Sequence, residues 1–293
     1  MEPTSEAQLA LAQRLERGEI LTFSPCPFQL PSGADHAFLL AQRPGGSGHK
    51  DISLNPGRNT VSGFVQESPA QAERLCRILR TFAGSAGGWL AALLPRYAAS
   101  WQMDRVTFRP EEEAIRKLRL TARNDLLHFD AFPSRPTRGR RILRLFVNIH
   151  PSDSRVWATG DSFARVLEKY GAKVGFPGPA DDGLARRLGR GLLSLFQPGA
   201  AERTPYDTFM LRLHHFVKTC DEFQERAPRR LWRFPAGSAW LVFTDATSRA
   251  ELRGQYALEH SFFIAPEALV LPEESPAALL EKACGAPILP QAA

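Results

Sequence analysis

The sequence has few cysteines and no long apolar run. Its four cysteines, Cys26, Cys76, Cys220 and Cys284, lie far apart and form no Cys-x-x-Cys pair. This spacing does not fit the disulfide framework of a small secreted domain, so we expect free thiols in a reducing compartment. No stretch approaches the roughly 18 consecutive apolar residues of a spanning helix, and the acidic N-terminus lacks a signal-peptide pattern. We therefore expect a cytoplasmic protein.

The sequence also lacks internal repeats, low-complexity tracts and any recognised nucleic-acid-binding motif. Lysine and arginine number 37 against 31 aspartate and glutamate, a net charge of +6. This excess is compatible with a solvated basic surface, with an anionic lipid surface or with a phosphorylated or carboxylated substrate. Without a reader motif or a basic-aromatic stripe, we expect no nucleic-acid partner. A basic surface also allows peripheral contact with anionic lipid.

The first hundred residues have the pattern of helices and irregular chain. Apolar positions at helical spacing predict a short amphipathic helix over residues 5 to 18, and two helices or one broken helix over residues 69 to 94. Residues 22 to 59 are rich in proline and glycine, which is typical of loops. We predict that residues 1 to 100 form an N-terminal segment that packs on the core that follows.

The pattern changes after residue 101. Strand-like runs rich in β-branched and aromatic residues occur at 105–109, 142–149, 240–244 and 256–264. Helical patterns interrupt them at 162–170 and 208–225. An antiparallel sheet with helical insertions predicts an α+β, mainly β fold, a double-stranded β-helix or jelly-roll barrel over residues 101 to 270. Residues 271 to 293 form a C-terminal tail in this prediction.

One short motif carries metal chemistry. On an extended strand, side chains two apart face the same side, so His128 and Asp130 present an imidazole and a carboxylate together. They are two thirds of the two-histidine, one-carboxylate set that binds Fe(II). The motif alone is short, and a surface or hydrogen-bonded histidine is the alternative. The adjacent His214 and His215 point about 100° apart on a helix, so we do not expect both to face one metal.

The sequence around this motif resembles that of the Kdo hydroxylases, bacterial enzymes that hydroxylate the 3-deoxy-octulosonic acid (Kdo) next to lipid A. The resemblance rests on residues 128 to 137, on residues 140 to 151, on Phe-Pro-Ala-Gly-Ser-Ala-Trp at 234–240 and on Gly-Gln-Tyr-Ala-Leu-Glu at 254–259. It covers about residues 45 to 265 in collinear order. A match of this length is far more specific than His-x-Asp alone.

The resemblance implies an Fe(II)- and 2-oxoglutarate-dependent dioxygenase that consumes O₂ and hydroxylates the Kdo of lipopolysaccharide. The partner would be Kdo-lipid A or a related anionic glycolipid, met at the inner membrane by peripheral contact. The distal carboxylate of 2-oxoglutarate needs a cation, and arginine pairs with carboxylates bidentately. Arg144 is the first candidate, because strand parity places it with Asn148 on one face and an inward charge needs a partner. The alternative is an outward, solvated Arg144.

Further residues are candidates for binding ligands. Ser248 and Tyr256 are placed to add hydrogen bonds to the co-substrate, and Arg249 competes with Arg144 for its carboxylate. Three arginines near the metal motif are candidates for binding the sugar acid or a phosphate: Arg135, Arg138 and Arg141. A further basic cluster predicts either a solvated helix face or a face for anionic lipid: Arg186, Arg187 and Arg190.

The sequence departs from the family pattern at the third iron ligand. The family has a histidine shortly before the Gly-Gln-aromatic-Ala-Leu-Glu strand, and this chain has Arg249 there. A guanidinium stays protonated and offers no lone pair to a metal. Three hypotheses follow. His260 replaces the missing ligand, or iron binds weakly through two ligands and water, or the chain is a catalytically impaired member that binds a lipopolysaccharide precursor or a 2-oxoacid.

Overall fold

The computed structural model describes residues 5–46, 51–112, 118–177 and 203–289. Within these ranges the helices are α1 (Ser5–Glu16), α2 (Gly33–Leu40), α3 (Pro69–Leu93), α4 (Pro95–Ala98), α5 (Phe163–Val174), α6 (Pro205–Thr219), α7 (Asp221–Arg226) and α8 (Pro276–Cys284). The strands are β1 (Leu21–Phe23), β2 (Ile52–Asn55), β3 (Thr60–Ser62), β4 (Gln102–Arg109), β5 (Arg141–Asn148), β6 (Arg155–Ser162), β7 (Arg230–Phe234), β8 (Ala239–Phe243), β9 (Thr247–Arg253) and β10 (Ala257–Ile264).

The strands form two antiparallel sheets. The large sheet has seven strands in the order β1-β8-β5-β10-β4-β2-β3, and the small sheet has three in the order β7-β6-β9. Neighbouring strands in the large sheet are far apart in sequence, as β5 lies between β8 and β10. This is the crossed connectivity of a jelly roll, in agreement with the predicted fold class.

Helices cover the outer face of the large sheet. Helix α3 begins at the N-cap Ser68, whose hydroxyl accepts a hydrogen bond from the backbone N–H of Gln71. Its apolar side chains recur at helical spacing. They pack in one core cluster with the apolar side chains that β4, β5, β8 and β10 present on this outer face. The helix continues through Gly84, Gly87 and Gly88, so the predicted interruption is wrong. Packing against the sheet offsets the low helix propensity of glycine.

The first hundred residues are more regular than predicted. Strand β1 pairs with β8, β2 pairs with β4, and β3 pairs with β2 at the edge. This N-terminal segment therefore completes the large sheet. The predicted boundary at residue 101 therefore divides one sheet. Residues 271 to 289 are also integrated, because α8 buries Ala277 and Leu280 against α5 and α6.

Between the two sheets, one end is filled by aromatic side chains. Trp157 of the small sheet contacts Phe146 and Trp240 of the large sheet, with ring centroids 4.7 Å and 5.3 Å away. Phe234 stacks on Trp240 at 3.9 Å. This cluster closes one end of the barrel and leaves the other end open for a site.

Within the described ranges, no helix is both long and apolar enough to cross a bilayer. The basic cluster at Arg186, Arg187 and Arg190 lies outside the described residues.

Candidate active site

The space between the two sheets contains a cavity of about 500 Å³. Strands β2, β4, β5 and β10 form its floor. Its wall includes residues of β9, of helix α6 and of the segments 62–63, 121–124 and 130–135. A cavity of roughly 300 to 1,000 Å³ is the usual size of a small-molecule site.

The segment that carries His128 and Asp130 is held by backbone hydrogen bonds at three positions. The side chain of Gln224 accepts from the N–H of Leu127 at 3.0 Å and donates to its carbonyl at 2.8 Å. The backbones of His128 and Arg249 exchange two hydrogen bonds of 3.0 Å. The N–H of Asp130 donates to the carbonyl of Thr244 at 2.9 Å. An extended segment held in this way presents the imidazole and the carboxylate on one side, as parity predicts.

His128 has the orientation of a metal-binding imidazole. Its Nδ1 lies 2.7 Å from the carbonyl of Leu126, which accepts only, so this nitrogen carries a proton. Burial, and next the charge of Arg249, lowers the pKa of His128 well below 6.5. The ring is therefore neutral near pH 7, and its Nε2 lone pair lies 3.6 Å from Oδ1 of Asp130. A backbone carbonyl that fixes the tautomer is common behind metal ligands.

The carboxylate of Asp130 is already paired. Nη2 of Arg249 lies 2.9 Å from each of its two oxygens, and Nη1 of Arg144 donates to Oδ2. Burial alone raises the pKa of this carboxyl, but Arg249 and Arg144 outweigh it and hold the pKa well below 3.8. Asp130 is therefore an anion whose charge is neutralised by arginine.

Arg249 is held at both terminal nitrogens of its guanidinium. Its Nη1 donates to Glu251 at 3.1 Å, and its guanidinium carbon lies 5.0 Å from the ring centre of Trp157. The side chain is 1 % exposed. Glu251 also accepts from Arg109 at 2.9 Å and from Arg155 at 2.7 Å. Arg249 thus belongs to a buried network of alternating charges in which each member satisfies others.

The described residues do not fit a three-ligand iron site. They contain no group of three histidine, cysteine, aspartate or glutamate side chains arranged to hold a metal ion. Arg249 of β9 lies directly opposite His128. Its guanidinium pairs with the carboxylate of Asp130, which a metal ion would need as a ligand. His128 and Asp130 keep the adjacency of two ligands, and their ligand role stays a prediction.

His260 does not supply the missing ligand. It pairs with Val106 and Leu145 across β10, and both of these lie in the apolar core under helix α3. Its neighbours Glu259 and Ser261 line the cavity, so parity turns His260 to the other face of the sheet. The expectation that His260 is a metal ligand is corrected on this geometry.

The position of His260 makes stability depend on pH. Burial lowers its pKa from 6.5 to about 3, and its Nδ1 has no hydrogen-bond partner within the described ranges. Below pH 6.5 the imidazole of His260 binds a proton in the unfolded chain but stays neutral in the folded chain. The free energy of unfolding therefore falls as pH falls. We expect this group to remove about 2 kcal/mol between pH 7 and pH 5.

Urea unfolding of wild type and of His260→Leu at pH 7 and pH 5 checks this expectation. The variant should lose less stability over this interval and be at least as stable at pH 7, because leucine suits an apolar site. His215→Gln is the comparison variant, because it removes an exposed imidazole and should keep most of the wild-type pH dependence. Equal pH dependence in wild type and His260→Leu would contradict a neutral, buried His260.

The candidates for binding 2-oxoglutarate separate into two groups. Arg144 lines the cavity, as predicted, but it is committed to Asp130 and Glu259. Arg249, the competing candidate, also lines the cavity and pairs with Asp130. The three remaining predicted contacts lie outside the lining, which corrects those predictions. Asn148 donates to the carbonyls of Asp153 and Phe234. Ser248 donates to the carbonyl of Asp161, and Tyr256 stacks on Phe108 in the core at 6.4 Å.

Of the three arginines predicted to bind substrate, one lies at the cavity. Arg135 lines it, stacks on Phe132 at 4.3 Å and pairs with Asp104. Arg138 is exposed outside the lining, at a position with φ of 55°. Arg141 is fully buried, where its Nε donates to Asp245 at 2.9 Å. The predictions for Arg138 and Arg141 are therefore corrected.

Helix α6 contributes side chains that sequence reasoning missed. His214 and Lys218, four residues apart on one helical face, both line the cavity. The ring of His214 lies 5.5 Å from that of His128, and its Nδ1 donates to the carbonyl of Phe129 at 2.6 Å. Burial lowers the pKa of His214 to about 4. The helical spacing was a usable signal, because the same helix buries Leu213 and Val217.

Comparisons with known proteins identify the class. A family model described as 3-deoxy-D-manno-oct-2-ulosonic acid (Kdo) hydroxylase matches residues 1–287. One similar solved structure is that of the Kdo hydroxylase KdoO, a non-heme Fe(II) alphaketoglutarate dependent dioxygenase, in complex with alphaketoglutarate and Fe(III). Its sequence is 34% identical to this chain, and the two structures superpose with a TM-score of 0.87. The match covers 100% of this chain and 95% of that one. The apo structure of KdoO, also 34% identical with the same coverage, gives a TM-score of 0.88. No curated protein sequence matches significantly.

The fold is thus that of a non-heme dioxygenase. The chain belongs to the Kdo hydroxylase family. The predicted family, jelly-roll fold and enzyme class with its iron and 2-oxoglutarate dependence are confirmed by these matches.

Proposed function

We propose that this chain hydroxylates the Kdo sugar of a lipopolysaccharide precursor, with 2-oxoglutarate and O₂ as co-substrates. The charge of the cavity carries the proposal. Among the residues that the structure describes, six cationic side chains line it against three acidic ones. The cations are Arg105, Arg109, Arg135, Arg144, Lys218 and Arg249, and the acids are Asp51, Asp130 and Glu259. Such an excess suits a dicarboxylate together with the carboxylate of one sugar acid.

The protein's own part in this function is to bind anions and to exclude water. His128 is 1 % exposed and Asp130 is 6 % exposed, so a reactive group beside them is shielded from solvent. Arg135 and Arg144 both line the cavity and add to the positive charge that attracts the two carboxylate-bearing ligands of this proposal. Low local polarity strengthens each of these contacts.

We also propose that the protein works in the cytoplasm, at the inner face of the membrane where the glycolipid precursor is presented. The net charge of +6 supports contact with anionic headgroups. Flotation with vesicles that contain anionic lipid, against vesicles of neutral lipid alone, tests this part.

The activity is tested with purified protein, Kdo-lipid A, 2-oxoglutarate, Fe(II) and air. We expect the glycolipid to gain the mass of one oxygen atom in the Kdo residue, with stoichiometric succinate. Because Arg249 pairs with Asp130, we expect wild type to need a higher Fe(II) concentration for full activity than the Arg249→His variant needs. No product at any Fe(II) concentration, in wild type and in Arg249→His, would refute the hydroxylase.

One contact favours a second candidate, a member that binds the glycolipid or a 2-oxoacid without turnover. Nη2 of Arg249 donates to both oxygens of Asp130, so this carboxylate is neutralised without a metal. Whole-chain similarity to KdoO favours the hydroxylase. Binding of Kdo-lipid A by wild type, with no succinate formed at saturating Fe(II), would establish this second function.

A further inference from the structure

Three strands of the large sheet carry a polar row on the cavity floor. Ser53 of β2 is the register partner of Thr107 of β4, and Thr107 is the partner of Glu259 of β10. All three line the cavity. Residues in register on adjacent strands lie about 5 Å apart, so the row presents closely spaced polar groups.

Two hydroxyls in this row lack partners in the part of the chain that the structure describes. The side-chain oxygens of Ser53 and Thr107 are buried at the cavity wall, and neither has a hydrogen-bond partner among the residues that the structure describes. Glu259 differs from them, because it pairs with Arg109 and Arg144. A buried hydroxyl without a partner is costly, and two adjacent ones indicate a ligand that donates and accepts hydrogen bonds there.

Next to this row lies a cation that has no acidic partner among the described residues. Arg105 lies two residues before Thr107 on β4, and both residues line the cavity. It is exposed, and it forms no ion pair with any residue in the described ranges. By contrast, Arg135 is paired with Asp104 and Arg249 with Asp130. Arg105 is therefore a cation at the cavity that remains available to a carboxylate.

We propose that Ser53, Thr107 and Arg105 form the subsite that binds a polyhydroxylated sugar acid. Ser53 and Thr107 exchange hydrogen bonds with sugar hydroxyls, and Arg105 pairs with the sugar carboxylate. The choice of ligand rests on the proposed function, whose substrate is a sugar acid. Arg105 and Thr107 are about 6.6 Å apart along the strand, so one monosaccharide reaches both.

The probe is free Kdo, with binding measured by calorimetry or by ligand-observed NMR at millimolar concentrations. We expect Arg105→Ala to weaken binding at least about 10-fold, since hydrogen bonds to charged groups are the stronger ones. Thr107→Val and Ser53→Ala should each weaken it about 3- to 10-fold. Kdo methyl ester, which lacks the carboxylate charge, should bind wild type and Arg105→Ala alike.

Two controls match these variants. Arg253→Ala removes an exposed arginine from β9 outside the cavity, and Thr22→Val alters an exposed threonine on β1. Both should bind free Kdo as wild type does. Thr107→Val and Ser53→Ala should also leave the thermal midpoint unchanged or raised, because each removes an unsatisfied buried hydroxyl. Weaker binding without loss of stability is the signature of a ligand contact.

The outcomes separate this subsite from the hydroxylase activity. If the glycolipid is not hydroxylated but free Kdo binds with the expected dependence on Arg105, the subsite stands and the activity fails. If wild type hydroxylates and the three variants keep the wild-type KM for Kdo-lipid A, the subsite is refuted. No binding of free Kdo to wild type at millimolar concentration would also overturn it.

Discussion

Arg249→His is expected to raise the affinity of the site for a divalent metal by at least about 100-fold, since losing even an outer partner of a metal ligand costs about 10- to 100-fold. The substitution removes the guanidinium that pairs with both oxygens of Asp130. It also places an imidazole on β9 directly opposite His128. Two histidines and one carboxylate then face the same space, as in a facial triad.

Cobalt(II) is a suitable probe, because KdoO has been crystallised with it. Titration of chelator-treated protein, followed by visible absorption, gives the affinity without dependence on turnover. Arg253→His, which adds an imidazole to an exposed position of the same strand, is the control and should bind as weakly as wild type. Tight binding of one equivalent by wild type, unchanged in Arg249→His, would refute the blocked carboxylate.

Asp130→Asn is expected to destabilise the metal-free protein by about 3–5 kcal/mol, the usual cost of removing one partner of a buried ion pair. The carboxylate stands between the guanidinium groups of Arg249 and Arg144. Without its charge, two buried cations repel each other across a neutral amide. In a site built around a metal, the same change should cost the metal-free protein little.

Urea unfolding in the presence of a chelator measures this effect. Asp153→Asn is the matched control, because the Asp153 side chain is 60% exposed and its removal should change stability by less than about 0.5 kcal/mol. A loss of similar size in the two variants would show that Asp130 is not the anchor of a buried charge network.

Sequence patterns predicted the large sheet better than the small one. The central strands β5, β8 and β10 are apolar or alternating and were predicted within a few residues. Strand β9 was missed, although its middle is fully buried, because its inward side chains are Arg249 and Glu251. Ion pairing satisfies these charges, and a reading based on hydrophobic alternation assigns charged residues to the surface.

The candidate site was predictable only where it is local. Strand parity was enough to place His128 beside Asp130, and it placed Arg144 on an inward face. The pairing of Arg249 with Asp130 joins residues 119 positions apart and follows from the meeting of two strands. Parity also held the clue against His260, since Glu259 and Ser261 are the polar neighbours that face the cavity. The position of Arg138 depended on loop geometry, which residue type does not determine. Arg141 begins β5, where strand parity turns it to the face opposite Arg144.

The most direct test of the central claim, that Arg249 is the partner of Asp130 in the metal-free site, is a double-mutant cycle. Unfolding free energies are measured with chelator for wild type, Asp130→Asn, Arg249→Met and the double variant. A coupling energy of at least about 1.5 kcal/mol, the lower range for close charge pairs, is predicted. Additive effects within about 0.5 kcal/mol would contradict the pairing.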